Sequence, residues 1–566
     1  MTTPATPRKL PLAVAGLAAL TLVAAAVLPW NLEAFASADD FAAAWRRAAR
    51  FLGAFASPDL SDEMLARGAG LAAETIAVAL LGVALGLLLA WPLALGSSRA
   101  VVVGEDPLPP GVRGLLRRLL PEACRLLLDV MRGVPDFAWA ILIALFTGSN
   151  AVTGTLAIAV SVAGILGKVL GEQWDNIEPR RYAALRSTGA GRLQVFLYGV
   201  QPLAGRAMLS FVLMRTECAV RNASVIGVVG GGGLGAGLWD DYSDGSWSRV
   251  ATILLFMLAT TAAADLAANL LRYQLRVDPN HPRATRPRSV AASTWRRAAG
   301  TAGVLLLLAG CAWWLREPLR QVTEQLRRIE WWYVFDYFGA LLTPDLAPTT
   351  LLAVAGQARI PLALGLLATL AAAGAAALLA FPASIAFQLE AERFTGERLP
   401  RWRRAARALL VVAARGAGLL LRGVPEVAWV VLLGVFCKTG VLPCTLAVAL
   451  HSTGVLQRVF AETLDNVPYR RLEQVAGTCR PQIFLYGALP EAWRDWKTYV
   501  FFQFEVNVRI GVVLGMVGAG GLGDRFQSNL AWRENHRAGT YLLAMVVLTV
   551  LIDRLSRRLL LQRRKC

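Results

Sequence analysis

The sequence predicts an all-α, polytopic membrane protein made of two homologous halves. Of its 566 residues, 56% are hydrophobic and the mean hydropathy is +0.49, which is more apolar than a soluble enzyme. The apolar residues form long runs separated by short arginine-rich segments. Three pairs of residues recur 288 positions apart, namely Gly189 and Gly477, Glu217 and Glu505, and Gly235 and Gly523. A constant long offset indicates tandem duplication of a complete unit.

Twelve apolar runs have the length expected of membrane spans, since a helix needs about 20 apolar residues to cross a bilayer. The first half, residues 1–280, has six such runs, near 11–30, 70–96, 126–148, 151–170, 203–229 and 249–271. The second half, residues 281–566, has six more, near 299–315, 358–387, 409–436, 441–461, 492–517 and 538–556. An even number of spans places both termini on the same side of the membrane.

The distribution of charge indicates which side that is. The chain has 58 basic and 39 acidic residues, a net charge of +19. Such an excess would suit nucleic acid binding, but the arginines lie between apolar runs, which is typical of cytoplasmic loops in bacterial membrane proteins. The basic segments 97–125, 272–298, 388–408 and 563–565 then lie in the cytoplasm with both termini. We therefore expect a multi-pass protein of the bacterial plasma (inner) membrane that contacts membrane lipid and no nucleic acid.

The N-terminus allows two interpretations. Arg8 and Lys9 precede an apolar run at 12–28 and an Ala-x-Ala-like segment at 34–38, which resembles a cleaved signal peptide. The alternative is an uncleaved first span, which we favour because the second half also opens with an apolar segment, at 299–315. Arginines and aromatic residues in 31–69 and 316–335 predict helices that lie on the membrane surface.

Several kinds of site are not expected in this chain. The seven cysteines contain no Cys-x-x-Cys pair and there are three histidines, so we expect no metal site. The phosphate-binding pattern Gly-x-x-x-x-Gly-Lys-[Ser/Thr] does not occur, so we expect no ATP site. Residues 518–523 match Gly-x-Gly-x-x-Gly, but an apolar helix precedes them where a dinucleotide site needs a strand. No span pairs a nucleophile with a base, so no catalytic residue is predicted.

One repeated loop lies between the fourth and fifth spans of each half, at about 173–202 and about 462–490. Its pattern predicts an amphipathic helix, a glycine turn, a second helix and a proline. We expect Gly189 and Gly477 to permit a tight turn, and Pro202 and Pro490 to start the fifth span in its first turn. An ordinary connecting loop is the alternative, but glycine and proline recur at the same separation in both copies.

The loop resembles the coupling loop of bacterial ABC importer permeases, whose pattern is Glu-Ala-Ala-x-x-x-Gly-x9-Ile-x-Leu-Pro. Ala184 and the pair Leu489-Pro490 fit this pattern. Neither half keeps the glutamate in register, since residues 183–185 are Ala-Ala-Leu and 471–473 are Arg-Leu-Glu. A narrower resemblance is to phosphonate-type permeases. It covers Phe-Leu-Tyr-Gly at 196–199 and 484–487, Arg-Gly-Val-Pro before an acidic residue at 132–136 and 422–426, and the glycine clusters at 230–235 and 518–523.

This resemblance implies the type I ABC importer permease fold, with two permease halves fused in one chain. It also implies that the loops dock on cytoplasmic ATP-binding subunits, which bind ATP and Mg, so that this chain has no cofactor. A periplasmic or extracellular substrate-binding protein would deliver the solute. The residues that would couple the chain to the ATPase are Ala184, Gly189, Tyr198, Gly199, Pro202, Glu473, Gly477, Tyr486, Gly487 and Pro490.

The fifth span of each half carries charged residues where charge is costly. Glu217 and Arg221 are four residues apart on one helical face, and Glu505 and Arg509 repeat the arrangement. Two interpretations remain open: ion pairs that fix the packing, or arginines that face an aqueous pathway and attract an oxyanion through the planar guanidinium. The candidate substrate pathway consists of Arg215, Glu217, Arg221, Glu505, Asn507 and Arg509.

The glycine clusters at the outer ends of the fifth spans predict a helix break that forms a gate or rim. The candidate gate residues are Gly230, Gly233, Gly235, Gly518, Gly521 and Gly523. The sequence thus predicts the transmembrane permease subunit of an ATP-driven ABC importer, and the resemblance implies phosphonate, phosphite or a related oxyanion as its substrate. The alternatives are an ABC permease for a different small solute and an ion-coupled secondary transporter.

Overall fold

The computed structural model of the chain describes residues 9–30, 32, 37–103, 111–274, 290–390, 400–467 and 480–561. Within these ranges the regular structure is entirely helical. Leucines such as Leu88 and Leu378 are 71% and 80% exposed on the outer surfaces of long helices, where lipid would cover them. The structure confirms the predicted all-α class.

The helices of the first half follow the order of the predicted spans. The amino-terminal helices are α1 (Lys9–Val27) and α2 (Ala38–Ala56). They are followed by α3 (Asp62–Ser97), α4 (Arg99–Val102), α5 (Val112–Gly133), α6 (Asp136–Thr147) and α7 (Ala151–Asp175). After a 3₁₀ turn at Pro179–Tyr182 come α8 (Ala183–Ser187), α9 (Arg192–Val195), α10 (Gln201–Ile226), α11 (Gly233–Ser243) and α12 (Trp247–Gln274).

The second half repeats this order. It begins with α13 (Val290–Trp314), α14 (Arg316–Arg328), α15 (Trp331–Leu342), α16 (Pro348–Ala383) and α17 (Ile385–Gln388). It continues with α18 (Arg401–Gly423), α19 (Glu426–Cys437), α20 (Val441–Asp465) and α21 (Arg480–Gln482). The last three helices are α22 (Leu489–Leu514), α23 (Leu522–Ala531) and α24 (Asn535–Leu561).

Seven helices among the described residues are long and apolar enough to cross a membrane, and the number is nine if each of two bent helix pairs counts as one span. Two shorter apolar helices, Leu17–Val27 and Asp136–Thr147, fall on the predicted first and third spans. The predicted tenth span, 441–461, falls on α20, which is mostly buried among other helices. Ten of the twelve predicted spans therefore lie mainly on one helix each, the third span of each half lies on two, and the protein is polytopic.

The third span of each half is broken into two helices, which differs from the single helices expected at 126–148 and 409–436. The two parts of the second-half span, α18 and α19, meet at 91°. At each break a proline, Pro135 or Pro425, precedes the second helix, and the valine before it is extended, with ψ of 124° and 123°. Proline disfavours a helical conformation for the residue before it, so the helix ends there.

Glycines of the fourth span let the broken span pack closely against it. A Cβ atom at Gly164 would lie 2.6 Å from the backbone nitrogen of Arg132, and one at Gly454 would lie 2.5 Å from that of Arg422. Close approach of backbones at small residues is the usual way in which helices associate in membranes. The two halves therefore share this packing detail as well as the helix order.

The compact units of the structure differ from the halves of the sequence. One unit consists of residues 54–334, and the other of residues 1–53 and 335–566. In the latter, Ala24 and Leu28 pack with Ile360 and Ala363 of α16. In the former, Cys311 of α13 belongs to the core around α3 and α7. The first helix of each half thus packs on the core of the other half, and the boundary expected near 280 does not separate the compact units.

The helices α2 and α14 fall in the two segments expected on the membrane surface. Arg47 of α2 donates from Nε to the carbonyl oxygen of Val435 at 3.2 Å, and helix α14 is bent by 62° from α13. Their placement on a membrane surface stays a prediction.

Candidate functional site

The first coupling-type loop has the expected order of elements. Helix α8 ends at Ser187, and Gly189 adopts φ +78°, the left-handed conformation that glycine favours. Helix α9 then begins at Arg192, where the Gln194 side chain accepts the backbone N–H of Gly191 at 2.8 Å. In the second copy, Glu473 and Gly477 lie outside the described residues.

Pro202 and Pro490 lie in the first turn of the α-helices α10 and α22, as expected, although each α-helix continues from a π-helical turn. Each proline lies within one continuous helix, Arg192–Gly231 or Arg480–Ala519, directly after a π-helical turn at Phe196–Val200 or Ile483–Ala488. There the N–H of Gln201 donates to the carbonyl of Phe196, and that of Leu489 to Phe484, five residues back. Proline crowds the carbonyl four residues before it, and the wider turn relieves that crowding.

Each π-helical turn presents a tyrosine to solvent. Tyr198 is 75% exposed and Tyr486 is 74% exposed. A Cβ at Gly199 would lie 3.0 Å from Cβ of Tyr182, so Gly199 allows the 3₁₀ turn to pack beneath this surface. Ala184 is exposed on the same loop. The two tyrosines are thus equally exposed at matching positions of the two halves.

An aspartate that the sequence analysis missed forms hydrogen bonds from the start of the loop to two other helices. Asp175, the last residue of α7, accepts hydrogen bonds from Ser98 Oγ at 2.7 Å and from the backbone N–H of Ala100 at 3.0 Å, so it caps α4. Arg125 of α5 bonds Asp175 through Nη2 at 3.0 Å and the carbonyl of Ser97 through Nε at 3.0 Å. Three helices thus meet at one carboxylate.

The second half repeats these hydrogen bonds. Asp465 accepts from Ser384 Oγ at 2.6 Å, from the N–H of Ala386 at 3.0 Å and from Nη2 of Arg415 at 2.8 Å. Arg415 Nε also donates to the carbonyl oxygen of Ala383 at 2.9 Å. The signal in the sequence is the Asp-Asn pair at 175–176 and again at 465–466, which the repeat comparison could have found.

An arginine of each loop holds the other end of the same short helix. Arg192 Nη1 donates to the carbonyl of Val102, at the end of α4, at 3.1 Å. Arg480 Nη1 donates to the carbonyl of Phe387 at 3.0 Å and to Gln388 Oε1 at 3.1 Å, at the end of α17. Helices α4 and α17 therefore connect the loops to the long helices α3 and α16.

The fifth span of the second half contains the expected ion pair. Arg509 Nη2 lies 2.8 Å from Glu505 Oε1, and the two side chains are 23% and 9% exposed. The Nε atom of Arg509 is buried without a hydrogen-bond partner. Because a buried carboxylate without a counterion is costly, Arg509 stabilises the fold around Glu505.

The fifth span of the first half is different. Glu217 pairs with Arg272 at the end of α12, with Oε2 and Nη2 3.3 Å apart. Within the described part of the chain, the half-buried Arg215 and Arg221 have no ion-pair partner, and their Nε atoms are buried without a hydrogen bond. The expected ion pair of Glu217 with Arg221 is therefore not formed, and two guanidinium groups stay available on this half.

Asn507 lies in a closed network of hydrogen bonds. Its Nδ2 atom donates to Thr369 Oγ1 at 2.8 Å, and its Oδ1 atom accepts from Ser452 Oγ at 2.8 Å and from Gln503 Nε2 at 2.9 Å. Asn507 is fully buried. Asn507 thereby joins three helices, and its role in a substrate pathway stays a prediction.

The second helix of each broken span begins with a half-buried carboxylate that the sequence analysis did not place in a site. Asp136 accepts hydrogen bonds from Ser161 Oγ and from Asn222 Nδ2, the latter at 2.6 Å. Glu426 lies 3.1 Å from Nε2 of His451, whose Nδ1 is 3.2 Å from the carbonyl of Val424. Glutamate and histidine thus replace aspartate and serine at matching positions of the two halves.

The candidate gate glycines lie at the expected helix breaks. Gly230 and Gly518 adopt φ +98° and +119° inside the π-helical turns Gly227–Gly231 and Gly515–Ala519. Positive φ values continue beyond these turns, with 69° at Gly233, the first residue of α11, and 90° at Gly521, the N-cap of α23. Cβ atoms at Gly235 and Gly523 would overlap the carbonyl oxygens of Ser224 and Val512. The breaks are therefore built into the backbone, whereas a gating role stays a prediction.

A family model for the binding-protein-dependent transport system inner membrane component matches this chain twice, at residues 114–277 and 407–564. Both matches contain a broken third span, a coupling-type loop and a glycine break. The chain belongs to this family. It is thus a membrane subunit of an ABC importer, with the permease domain present in two copies.

Three relatives with described roles are similar to all or part of this chain. The chain is 27% identical over 88% of its length to the phosphate-import permease protein PhnE of Mycolicibacterium smegmatis, of which the match covers 86%. It is 30% identical over 38% of its length to the putative phosphite transport system permease protein HtxC of Stutzerimonas stutzeri, covering 71% of that protein. It is 34% identical over 21% of its length to the putative cryptic phosphonate permease PhnE2 of Escherichia coli, covering 96% of it.

Proposed function

We propose that this protein is the transmembrane subunit of an ATP-driven importer for phosphonate, phosphite or a related oxyanion such as phosphate. The observation that carries the proposal is the similarity, over 88% of the chain, to a permease named for phosphate import, together with shorter matches to phosphite and phosphonate permeases. The family description supports a partner protein that binds the solute outside the membrane. Because the sequence has no phosphate-binding loop, ATP and Mg are bound by separate cytoplasmic subunits.

The coupling loops are the surfaces on which those ATPase subunits dock. Exposed Tyr198 and Tyr486 on the π-helical turns offer apolar contact area in both halves. Through Arg192 and Arg480, movement of a docked loop reaches the short helices α4 and α17, and through them the long helices α3 and α16. ATP-driven approach of the two ATPases would in this way rock the helices between two states.

The first half supplies the anion-attracting groups of the pathway. Arg215 and Arg221 lack partners among the described residues, whereas Arg509 is neutralised by Glu505. A guanidinium group without a carboxylate partner in a membrane segment is costly unless it meets water or an anion. Its planar donors suit a tetrahedral oxyanion.

The same proposal fixes the orientation of the chain. Both coupling loops and both termini lie in the cytoplasm of a bacterial cell, and the glycine breaks lie at the outer surface. The excess of arginine in segments 97–125 and 388–408 supports this orientation.

Uptake measurements test the function. Cells with and without this gene are given labelled phosphate, phosphite and methylphosphonate, once with ATP depleted and once with the proton gradient collapsed. We expect gene-dependent uptake that requires ATP and survives loss of the gradient. Uptake that stops with the gradient would indicate an ion-coupled transporter, and absence of gene-dependent uptake of all three would contradict the oxyanion substrate.

A further inference from the structure

A polar cavity of about 720 Å³ lies in the second half, at the end of the helices opposite to the coupling loop. It is formed by the start of α16, by α23 directly after the glycine break, and by the start of α24. The lining residues that matter for its chemistry are Thr350, Gln357, Arg525, Asn529, Arg537 and Tyr541.

The same place in the first half can be identified from two repeated contacts. Thr252 Oγ1 donates to the carbonyl of Asp59, and Thr540 Oγ1 donates to that of Asp345, both at 2.8 Å. Arg249 and Arg537 each lie 3.7 Å from the corresponding aspartate, Asp59 or Asp345. The outer ends of α3 and α12 therefore match those of α16 and α24 residue by residue.

In the first half this place is filled. Arg67 of α3 forms an ion pair with Asp241 of α11 at 2.8 Å, and Asp241 is 2% exposed. Beside the pair, a Cβ at Gly237 would lie 2.5 Å from Cδ1 of Leu71 and 3.6 Å from Cδ1 of Ile253. An ion pair and packed apolar side chains thus leave no room between these three helices.

Five substitutions between the halves open the cavity. Arg67 and Leu71 correspond to Ala353 and Gln357, whereas Gly237, Asp241 and Ile253 correspond to Arg525, Asn529 and Tyr541. The ion pair is lost, and an amide, a guanidinium and a phenol replace the apolar contacts. The change converts a closed apolar contact into an open space lined by hydrogen-bond donors.

The donors in the cavity are not used by the protein. In the part of the chain that the structure describes, the Arg525 guanidinium and the Tyr541 hydroxyl have no hydrogen-bond or ion-pair partner. Tyr541 as a residue is 6% exposed and lines the cavity, where its hydroxyl is open to a ligand.

The acidic groups nearby are already neutralised. Glu534 pairs with Arg537 at 2.9 Å, and Asp345 accepts from the backbone N–H of Ala347 at 3.0 Å and from Thr350 Oγ1 at 2.7 Å. These hydrogen bonds, with the charge of Arg537, hold the pKa of Asp345 below its usual value. Arg525 is then the cation of this cavity that lacks a counterion among the described residues.

We propose that this cavity is an outer binding site for a small oxyanion, provided by the second half and absent from the described residues of the first. Arg525, Gln357 and Tyr541 are the donors that bind it. That the ligand is the transported solute rests on the proposed function. The site would hold the anion beside the glycine break of the second half, after its release from the binding protein.

Direct binding of labelled phosphate tests the site. The complex is purified in lipid nanodiscs without the binding protein, and unlabelled phosphite, methylphosphonate and sulfate are added as competitors. We expect saturable binding that falls at least tenfold in Arg525→Gln and in Tyr541→Phe. The variant Gln357→Leu/Arg525→Gly/Tyr541→Ile, which installs the first-half residues, should abolish it. Arg249→Gln, which removes an arginine at the matching end of the first half, should bind like the wild type.

The outcomes separate this inference from the proposed function. Binding that is unchanged in Arg525→Gln and Tyr541→Phe, or absent from the wild type, overturns the outer site even when cells take up the oxyanion. Equal loss in Arg249→Gln would mean a diffuse charge effect and would also overturn it. If site-dependent binding occurs but cells show no gene-dependent oxyanion uptake, the site stands and the proposed substrate is wrong.

Discussion

The two fifth spans have a glutamate and an arginine at matching positions, Glu217 and Arg221 against Glu505 and Arg509, and use them differently. In the second half, Glu505 and Arg509 neutralise each other within one helix. Asn507 forms hydrogen bonds with Ser452, Gln503 and Thr369. In the first half, Glu217 turns to Arg272 instead, and Arg221 is left without a partner in the described residues. The comparison teaches that duplicated motifs keep their place in the fold while their partners change. The charges of the second half neutralise each other, whereas Arg215 and Arg221 of the first half have no ion-pair partner among the described residues.

The largest effect is expected where the halves have the same role. Gly189→Arg and Gly477→Arg should each abolish uptake, because Gly189 requires positive φ in a loop whose shape positions the docking surface. Gly191→Arg is the matched control, since Gly191 has φ −63° and only an ordinary contact beside it. Uptake rates are compared at equal amounts of protein in the membrane. Normal uptake in Gly189→Arg would remove the coupling role from that loop.

The difference between the halves is tested directly by their arginines. Arg509→Ala removes the cation that lies 2.8 Å from the buried Glu505 carboxylate, so we expect a loss of about 3–5 kcal/mol in the free energy of unfolding. Arg221→Ala should leave the unfolding temperature unchanged and raise the KM for the oxyanion about tenfold, as expected for loss of a charge-assisted hydrogen bond. Thermal unfolding and uptake are measured on both variants. Equal destabilisation by both would show that Arg221 is structural too.

A smaller effect is expected from the aspartates that cap α4 and α17. Asp175→Ala and Asp465→Ala remove the cap of a short helix, worth about 0.5–2 kcal/mol, and free the loop from the long helix. We expect uptake per ATP hydrolysed to fall several-fold while the subunits stay assembled. Asp465→Asn keeps an oxygen acceptor and should lose less. An unchanged ratio of uptake to ATP hydrolysis in both alanine variants would contradict a mechanical connection through these helices.

The smallest effect is expected at His451. The variant His451→Ser installs the residue that the first half has at the matching position, Ser161, which bonds to Asp136. Because a serine serves that place in one half, we expect a loss of about 1 kcal/mol in stability, the size of one hydrogen bond, and normal uptake. A large loss of uptake would give the pair of Glu426 and His451 a role that its counterpart does not have.

Much of the fold could be predicted because it depends on local patterns. Apolar runs located the spans, and the repeat located the two loops and the glycine breaks. The breaks at Pro135 and Pro425 were also visible in the sequence, but each lies within an apolar run that hydropathy alone joins into one span. The π-helical turns before Pro202 and Pro490 have no comparable local signal, because a proline in the first turn of a helix is the more common pattern.

The candidate site was predicted less well, since its properties depend on partners far away in the chain. Nothing near Glu217 indicates that it pairs with Arg272, 55 residues later, rather than with Arg221. The hydrogen bonds of Asn507 to Thr369 and Ser452 could not be read from the sequence either, because both partners lie in other helices. The tie between Asp175 and Arg125 was missed because each residue by itself resembles an ordinary charged residue at a cytoplasmic helix end.

The sequence by itself determined that this protein is helical, crosses the membrane many times and consists of two copies of one unit, because periodicity, hydropathy and a fixed offset are properties of the chain alone. Only the tertiary structure decided which helices share a core, which arginines are neutralised and where a cavity opens. Those outcomes depend on distances between side chains that are remote in sequence. The differences between Arg67 and Ala353 and between Leu71 and Gln357 are visible in the sequence. Their effect on the cavity depends on the residues that face these positions in the folded protein.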